Sequence, residues 1–202
     1  MFDLSFLQIV SRAIAIVIVL TVMGFSVATF ARLLGDKGAV YDAKLTPNPF
    51  AHIDIFAFAA GIIARIGWVR PIAIDPAKCF GGRTAPVIVA AATLIVVFLL
   101  GRLALMLLPW IAVSWPSSSA AFADSTMRTL ADTAAWTLAA NLIPLPPFLG
   151  GYLLQAVAPR AHSWLVQRHL WISLALLVVV VLTYRMISST ALGDLARLFG
   201  AR

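Results

Sequence analysis

The chain alternates between long apolar segments and shorter segments that are polar or rich in Pro and Gly. A membrane-spanning α-helix needs about 20 mainly apolar residues. The apolar segments cover residues 6–34, 53–68, 85–113, 126–158 and 170–187. The second is short, and the fourth is interrupted by Pro and Gly. The pattern predicts an all-α polytopic membrane protein. Residues 1–187 form one domain of about four or five transmembrane helices, and residues 188–202 form a tail with a predicted interfacial helix.

Residues 35–84 form a polar insertion whose location depends on the second apolar segment. If that segment crosses the membrane, the cations within residues 32–44 and 70–83 lie on opposite sides; if it is re-entrant, they lie on one side. Lys and Arg concentrate in cytoplasmic loops, and the loop at residues 115–124 contains neither. The charge distribution favours the re-entrant arrangement, which places residues 35–84 in the cytoplasm.

Composition narrows the possible functions. Of the 202 residues, 62% are hydrophobic and 11% are charged, whereas soluble domains are about 25% charged. The net charge of +7 comes from cations at the ends of apolar segments, so we expect no nucleic-acid partner. All eight acidic residues are Asp, and the single Cys79 cannot form an internal disulfide. A mechanism that needs a Glu from this chain is excluded.

Three polar motifs lie between the apolar segments: LGD at residues 34–36 with LTPNPFAHID at 45–54, GWVRPIAIDP at 67–76, and NLIPLPPFLGG at 141–151. Each alone is compatible with a turn, since Pro and Gly break helices. In this order they resemble the small bacterial members of the site-2 protease family of intramembrane zinc metalloproteases. The resemblance covers residues 24–158. It implies a site-2-protease-like bundle in a bacterial inner membrane, with a helix broken at the Asn-Pro-Pro-Gly-Gly motif.

Members of that family hold zinc through the two His of H-E-x-x-H and the Asp of L-D-G-G, with the Glu as general base. Counted back from LGD, the His positions hold Met23 and Val27, and the Glu position holds Gly24. In the third motif, the Asp position holds Leu149. No shift of alignment supplies the motif, because the chain has no Glu and no His before His52. We expect no catalytic residue, no zinc and no other cofactor.

The resemblance leaves a cleft without its metal ligands. In the family, the segment containing Asn-Pro-Pro-Gly-Gly lies beside the cleft where an unwound substrate segment binds. Two neighbouring polar residues, at 52 and 54, are fewer than the three protein ligands of a catalytic zinc, which favours a role in capping the second apolar helix. An Arg deep in the third apolar segment is a candidate for contact with a lipid headgroup, another chain or a bound cofactor. The candidate cleft or partner-binding residues are His52, Asp54, Arg102, Asn141, Pro144, Pro146, Pro147, Gly150 and Gly151.

Other charged residues in or near the apolar segments are predicted to be structural. Arg128 and Asp132 are four residues apart and are predicted to pair on one helix. Arg65 has no evident acidic partner and is predicted to extend to the interface. His162 and His169 are predicted to lie in a solvated loop.

Three functions remain open. The first is a catalytically inactive site-2-protease-like protein that acts as a binding, scaffold or accessory subunit of a membrane complex, with other transmembrane proteins and lipids as partners. The second is an active intramembrane metalloprotease with an unorthodox site. The third is a small transporter or channel subunit, for which the deep polar candidates are Arg102, Asp132 and Asn141. Retention of the cleft motifs without the ligands favours the first.

Overall fold

A computed structural model of the chain describes residues 5–201; residues 1–4 of the predicted domain and Arg202 of the predicted tail lie outside them. Ten α-helices and four short 3-10 turns make up this part of the chain, which contains no β-strand. The helices are Phe6–Leu33 (α1), Gly38–Tyr41 (α2), Ile55–Ala64 (α3), Ala85–Met106 (α4), Leu108–Ser114 (α5), Ser117–Asn141 (α6), Gly151–Val157 (α7), Pro159–Gln167 (α8), His169–Thr183 (α9) and Ala191–Leu198 (α10).

Two helical stretches within the described residues are long and apolar enough to cross a membrane. They are Phe6–Leu33, with 28 residues, and Gly82–Ser114, with 33 residues. Helices α8 and α9 make a third if they are counted as one span, although they are bent by 79°. Helix α3 has 10 residues and is about 15 Å long, half the thickness of a hydrocarbon core. The second apolar segment therefore does not cross the bilayer as one helix, and a count of four or five spans stays a prediction.

Helices α1, α4 and α6 pack against one another and form the centre of the bundle. Helix α1 begins at a capping box in which Ser5 and Gln8 satisfy each other's backbone N–H groups. Its buried residues recur every three or four positions, as one face of a helix requires. They include Ile16, Leu20 and Met23. The buried apolar side chains of all three helices belong to one continuous cluster.

Helix α3 packs closely against α1 because its contact face consists of small residues. Ala57, Ala60 and Gly61 are completely or almost completely buried. A Cβ atom at Gly61 would lie 2.2 Å from Cγ1 of Ile16, so only Gly allows this approach. The spacing of small residues in the second apolar segment thus serves packing within the chain.

The tail forms helix α10, which packs against α6. Phe199 makes an edge-to-face contact with Phe98 of α4, with ring centroids 6.4 Å apart. Ala196 is completely buried. The described part of the tail is therefore joined to the bundle by an apolar contact, and its location at the interface stays a prediction.

The ion pairs of the bundle differ from those predicted. Arg128 pairs with Asp124, through contacts of 2.7 and 2.9 Å, and not with Asp132. Asp132 instead accepts a hydrogen bond of 3.2 Å from Arg65, the residue that was expected to have no acidic partner. The prediction was wrong because both aspartates lie four residues from Arg128 on α6, and only tertiary packing turns one of them toward the end of α3.

Candidate functional site

The positions that correspond to zinc ligands and base lie in the core of the bundle. Met23 and Val27 are completely buried, and Leu149 is 1% exposed. All three belong to the same continuous apolar cluster. A thioether and two hydrocarbon side chains do not fit zinc, which takes N, O and thiolate ligands. Among the described residues, no group of three or more His, Cys or Asp lies close enough to hold a metal ion.

His52 occupies the space beside the former base position. The imidazole is 1% exposed, and its Nε2 lies 2.8 Å from the carbonyl oxygen of Thr46. The carbonyl can only accept, so Nε2 carries the proton and Nδ1 is a bare acceptor without a partner. A Cβ atom at Gly24 would lie 2.4 Å from this Nδ1. Gly24 is therefore the residue that permits the imidazole to enter. Burial lowers the pKa of His52, which keeps the ring neutral.

Asp54 has a structural role that the sequence also suggests. Its Oδ1 accepts hydrogen bonds from the N–H groups of Phe56 and Ala57, which caps the beginning of α3. Its Oδ2 accepts a hydrogen bond of 3.1 Å from Ser173 of α9, whose hydroxyl oxygen accepts from the Trp68 indole. The carboxylate thus ties α3 to α9.

Asn141 organises the break between α6 and α7. Its Nδ2 donates to the carbonyl oxygens of Gly67 and Thr137, both at 2.8 Å, and its Oδ1 accepts from the N–H of Leu149 at 3.0 Å. The N–H of Gly150 donates to the Asn141 carbonyl oxygen. Each polar atom of this buried side chain is satisfied, as burial requires. The broken helix predicted from the sequence is present, with α6 ending at Asn141.

The segment 142–150 folds tightly enough to require its glycines. A Cβ atom at Gly150 would lie 2.3 Å from the carbonyl oxygen of Ile143, and one at Gly151 would lie 2.7 Å from the backbone N of Pro146. Pro146 and Pro147 are buried, whereas Pro144 is exposed. This loop therefore presents a compact wall in which two of the three prolines face inward.

A groove of about 280 Å³ lies along this wall. One side is the segment 69–74, which belongs to no helix, and the other is formed by residues 146–149 with helices α7 and α8. Tyr152 and Gln155 of α7 hold the two sides together, because their side chains donate to the carbonyl oxygens of Ile72 and Ile74, each at 2.8 Å. The Oε1 atom of Gln155 is buried without a partner.

The groove includes residues that the sequence did not single out. Tyr152 and Gln155 lie three positions apart on α7, so the sequence could predict that they share a helix face. It could not predict their hydrogen bonds to residues some 80 positions away. His162, which was expected in a solvated loop, is half-buried in α8 and lines the groove. Arg102, by contrast, lies on the exposed side of α4 near Gly200 and lines no part of the groove. The structure therefore brings together the motifs and leaves this Arg apart.

The chain is similar to one curated bacterial protein. The Bacillus subtilis (strain 168) protein named "Putative zinc metalloprotease YwhC" is 27% identical to it over 149 residues, which cover 72% of this chain and 68% of that protein. No protein family model matches the chain, and no solved structure matches it. The similarity is consistent with a relationship to a metalloprotease family.

Proposed function

We propose that this chain is a site-2-protease-like membrane protein that does not cleave, and that it binds an extended segment of another membrane protein in the groove. One observation carries the proposal. The positions aligned with the family's zinc ligands and base are buried in the core, while the groove beside them is open. Met23 and Val27 are completely buried, and His52 lies where a side chain at position 24 would have to be. The chain also lacks the Glu that the family's reaction needs.

The groove has the chemistry that an extended peptide requires. Its lining is mainly apolar, and the segment 72–74 lies outside helices and strands, with buried Ile72 and Ile74 flanking exposed Ala73. The backbone N–H groups of these three residues donate to no group within residues 5–201. Unpaired backbone N–H groups support pairing with the backbone of a bound peptide, while apolar pockets select side chains. An unwound segment of a transmembrane partner supplies both the free backbone groups and the apolar side chains.

The expected location follows from the same features. The groove is built partly from the polar insertion at residues 35–84, whose cations are expected to face the cytoplasm. The protein is then a multi-pass component of a bacterial inner membrane with its groove toward the cytoplasmic side. Its partners are other transmembrane proteins, in a multi-subunit complex, together with lipids.

Photo-crosslinking from the groove tests the binding. Ala73, exposed in the groove, is replaced by p-benzoylphenylalanine in cells that express the chain at its natural level. We expect one defined protein adduct, which disappears when Ser163→Trp fills the groove. The control probe replaces Ala91, which is exposed on α4. Adducts that are the same from both positions, or that survive Ser163→Trp, contradict the proposal.

The name of the similar bacterial protein favours a second function, that of an active metalloprotease with an unorthodox site. Metal analysis of the purified protein separates the two. Below about a tenth of an equivalent of zinc the protease alternative fails; a full equivalent, retained through gel filtration, defeats our proposal. The transporter alternative has weaker support, because the side chain of Asn141 is fully bonded and Asp132 is engaged with Arg65.

A further inference from the structure

Three arginines from distant parts of the sequence meet at a second, separate pocket. Arg12 comes from the second turn of α1, Arg65 follows the last residue of α3, and Arg185 follows the end of α9. They line a pocket of about 330 Å³ together with Trp136 and Tyr184. The pocket lies near the first turns of α1 and the last turn of α3. It shares no lining residue with the groove.

Arg12 is fixed in this pocket by neutral oxygens. It is 8% exposed and donates from Nη1 to the carbonyl oxygens of Ile62 and Ile63, at 2.9 and 2.8 Å. Tyr184 lines the same pocket. The two carbonyls belong to the last turn of α3, where partial negative charge is concentrated. These bonds satisfy donors of the guanidinium and hold it in place, but they do not neutralise its charge.

The other two arginines leave donors free. Nη1 of Arg65 bonds with Asp132 at 3.2 Å, while Nε of Arg65 is buried without a partner. Arg185 is exposed and bonds with no group within residues 5–201. Within residues 5–201, no acidic residue lines the pocket itself, and Asp132 is the carboxylate paired beside it. In this part of the chain, three guanidinium groups and one carboxylate therefore leave two positive charges at one opening.

We propose that this pocket binds the phosphate group of an anionic ligand. The observation is the convergence of a buried, pre-positioned Arg12 with a partly exposed Arg65 and an exposed Arg185 around an open space. Guanidinium groups present planar sets of N–H donors that match phosphate oxygens. An anion there relieves the repulsion among the arginines. Phosphate is available either on a lipid headgroup or free in solution, and both sources present the same chemistry to the pocket.

Ligand-dependent stabilisation tests the site, because a ligand that binds only the folded state raises Tm in a saturable way. The protein in dodecyl maltoside is titrated at constant ionic strength with dioleoylphosphatidylglycerol, with dioleoylphosphatidylcholine and with inorganic phosphate. We expect a saturable rise of Tm with phosphatidylglycerol or with phosphate. A rise with the lipid alone identifies the headgroup as the source, and a rise with inorganic phosphate identifies a free anion.

Two variants locate the effect. Arg185→Gln should raise the half-saturating concentration about tenfold or more, and Arg185→Glu should abolish the shift. The ligand-free Tm should stay near that of the parent, because the Arg185 side chain forms no bond within residues 5–201. Arg83→Gln removes an exposed cation elsewhere and should leave the titration unchanged. The proposal is wrong if neither anion raises Tm above the phosphatidylcholine and chloride controls, or if both Gln variants weaken binding equally. The outcome is independent of the groove and its partner.

Discussion

Replacement of Gly24 by Ala tests the contact that closes the former base position. In an ordinary helix interior this change stabilises by about 1 kcal/mol, since Gly is the poorer helix former. Here the new methyl would lie 2.4 Å from Nδ1 and 2.5 Å from Cγ of the His52 ring. Overpacking of this kind costs about 1–3 kcal/mol. Displacement of the ring also endangers its bond to Thr46, worth about 1 kcal/mol. We expect Gly24→Ala to lower the free energy of unfolding by about 2 kcal/mol.

The assay is unfolding in mixed detergent and SDS micelles, followed by tryptophan fluorescence. A double-mutant cycle with His52→Ala identifies the cause. The single His52 variant loses about 3 kcal/mol through its cavity, and the added methyl should cost nothing further once the ring is gone. Gly101→Ala is the matched control, because its nearest neighbour is a methyl group at 3.1 Å, and it should change stability by less than about 1 kcal/mol. A Gly24→Ala protein as stable as its parent refutes the reasoning.

Three further predictions use the same unfolding assay. Asp132→Asn removes the partner of Arg65 and should cost about 2 kcal/mol, below the range for fully buried pairs because that Arg is partly exposed. Tyr152→Phe leaves the Ile72 carbonyl unsatisfied and should cost about 1–3 kcal/mol. Burial lowers the pKa of His52, so the unfolded chain binds the proton more readily. Stability should be full above about pH 6.5, fall as pH decreases through that value, and fall less in His52→Asn.

Local sequence signals predicted α1 and α4, but not the beginning of α6 at Ser117, inside the predicted loop at 115–124, nor the point at which the second apolar helix stops. Apolar runs and Pro–Gly breaks lie within short windows, which is why α1, α4 and the break after α6 were visible. Helix α3 ends at Ala64 without a Pro or a Gly at its boundary. Arg65 takes a left-handed conformation there, with φ at 61°. The helix carbonyls are capped from afar, by Arg12 and by Thr137, whose hydroxyl donates to the Arg65 carbonyl oxygen. Partners 50 to 72 positions away leave no local signal.

The candidate site was likewise predicted only in part from the sequence. Alignment of the motifs located Met23, Gly24, Val27 and Leu149, because the residue at a fixed distance from a motif can be read directly from the sequence. It did not show that the His52 ring packs on Gly24, since that contact depends on how the loop at 45–54 folds back over α1. The groove-bridging bonds from α7 and the arginine pocket were equally hidden. Each is formed by elements that meet only after the bundle has assembled.

Under the proposed function, the packing around Gly24 makes the absence of the family's zinc ligands more than a set of four substitutions. A Glu placed at this position would need the space that the imidazole of His52 fills, so the base and the present loop conformation exclude each other. His or Asp side chains at the positions of Met23, Val27 and Leu149 would enter a continuous apolar cluster, where an unpartnered polar group costs several kcal/mol. Each of these apolar side chains instead contributes van der Waals packing, which favours helix association in a membrane. The same core supports Leu149 and the loop wall of the groove. Under the proposed function, the residues that prevent catalysis are therefore the ones that hold the binding surface rigid.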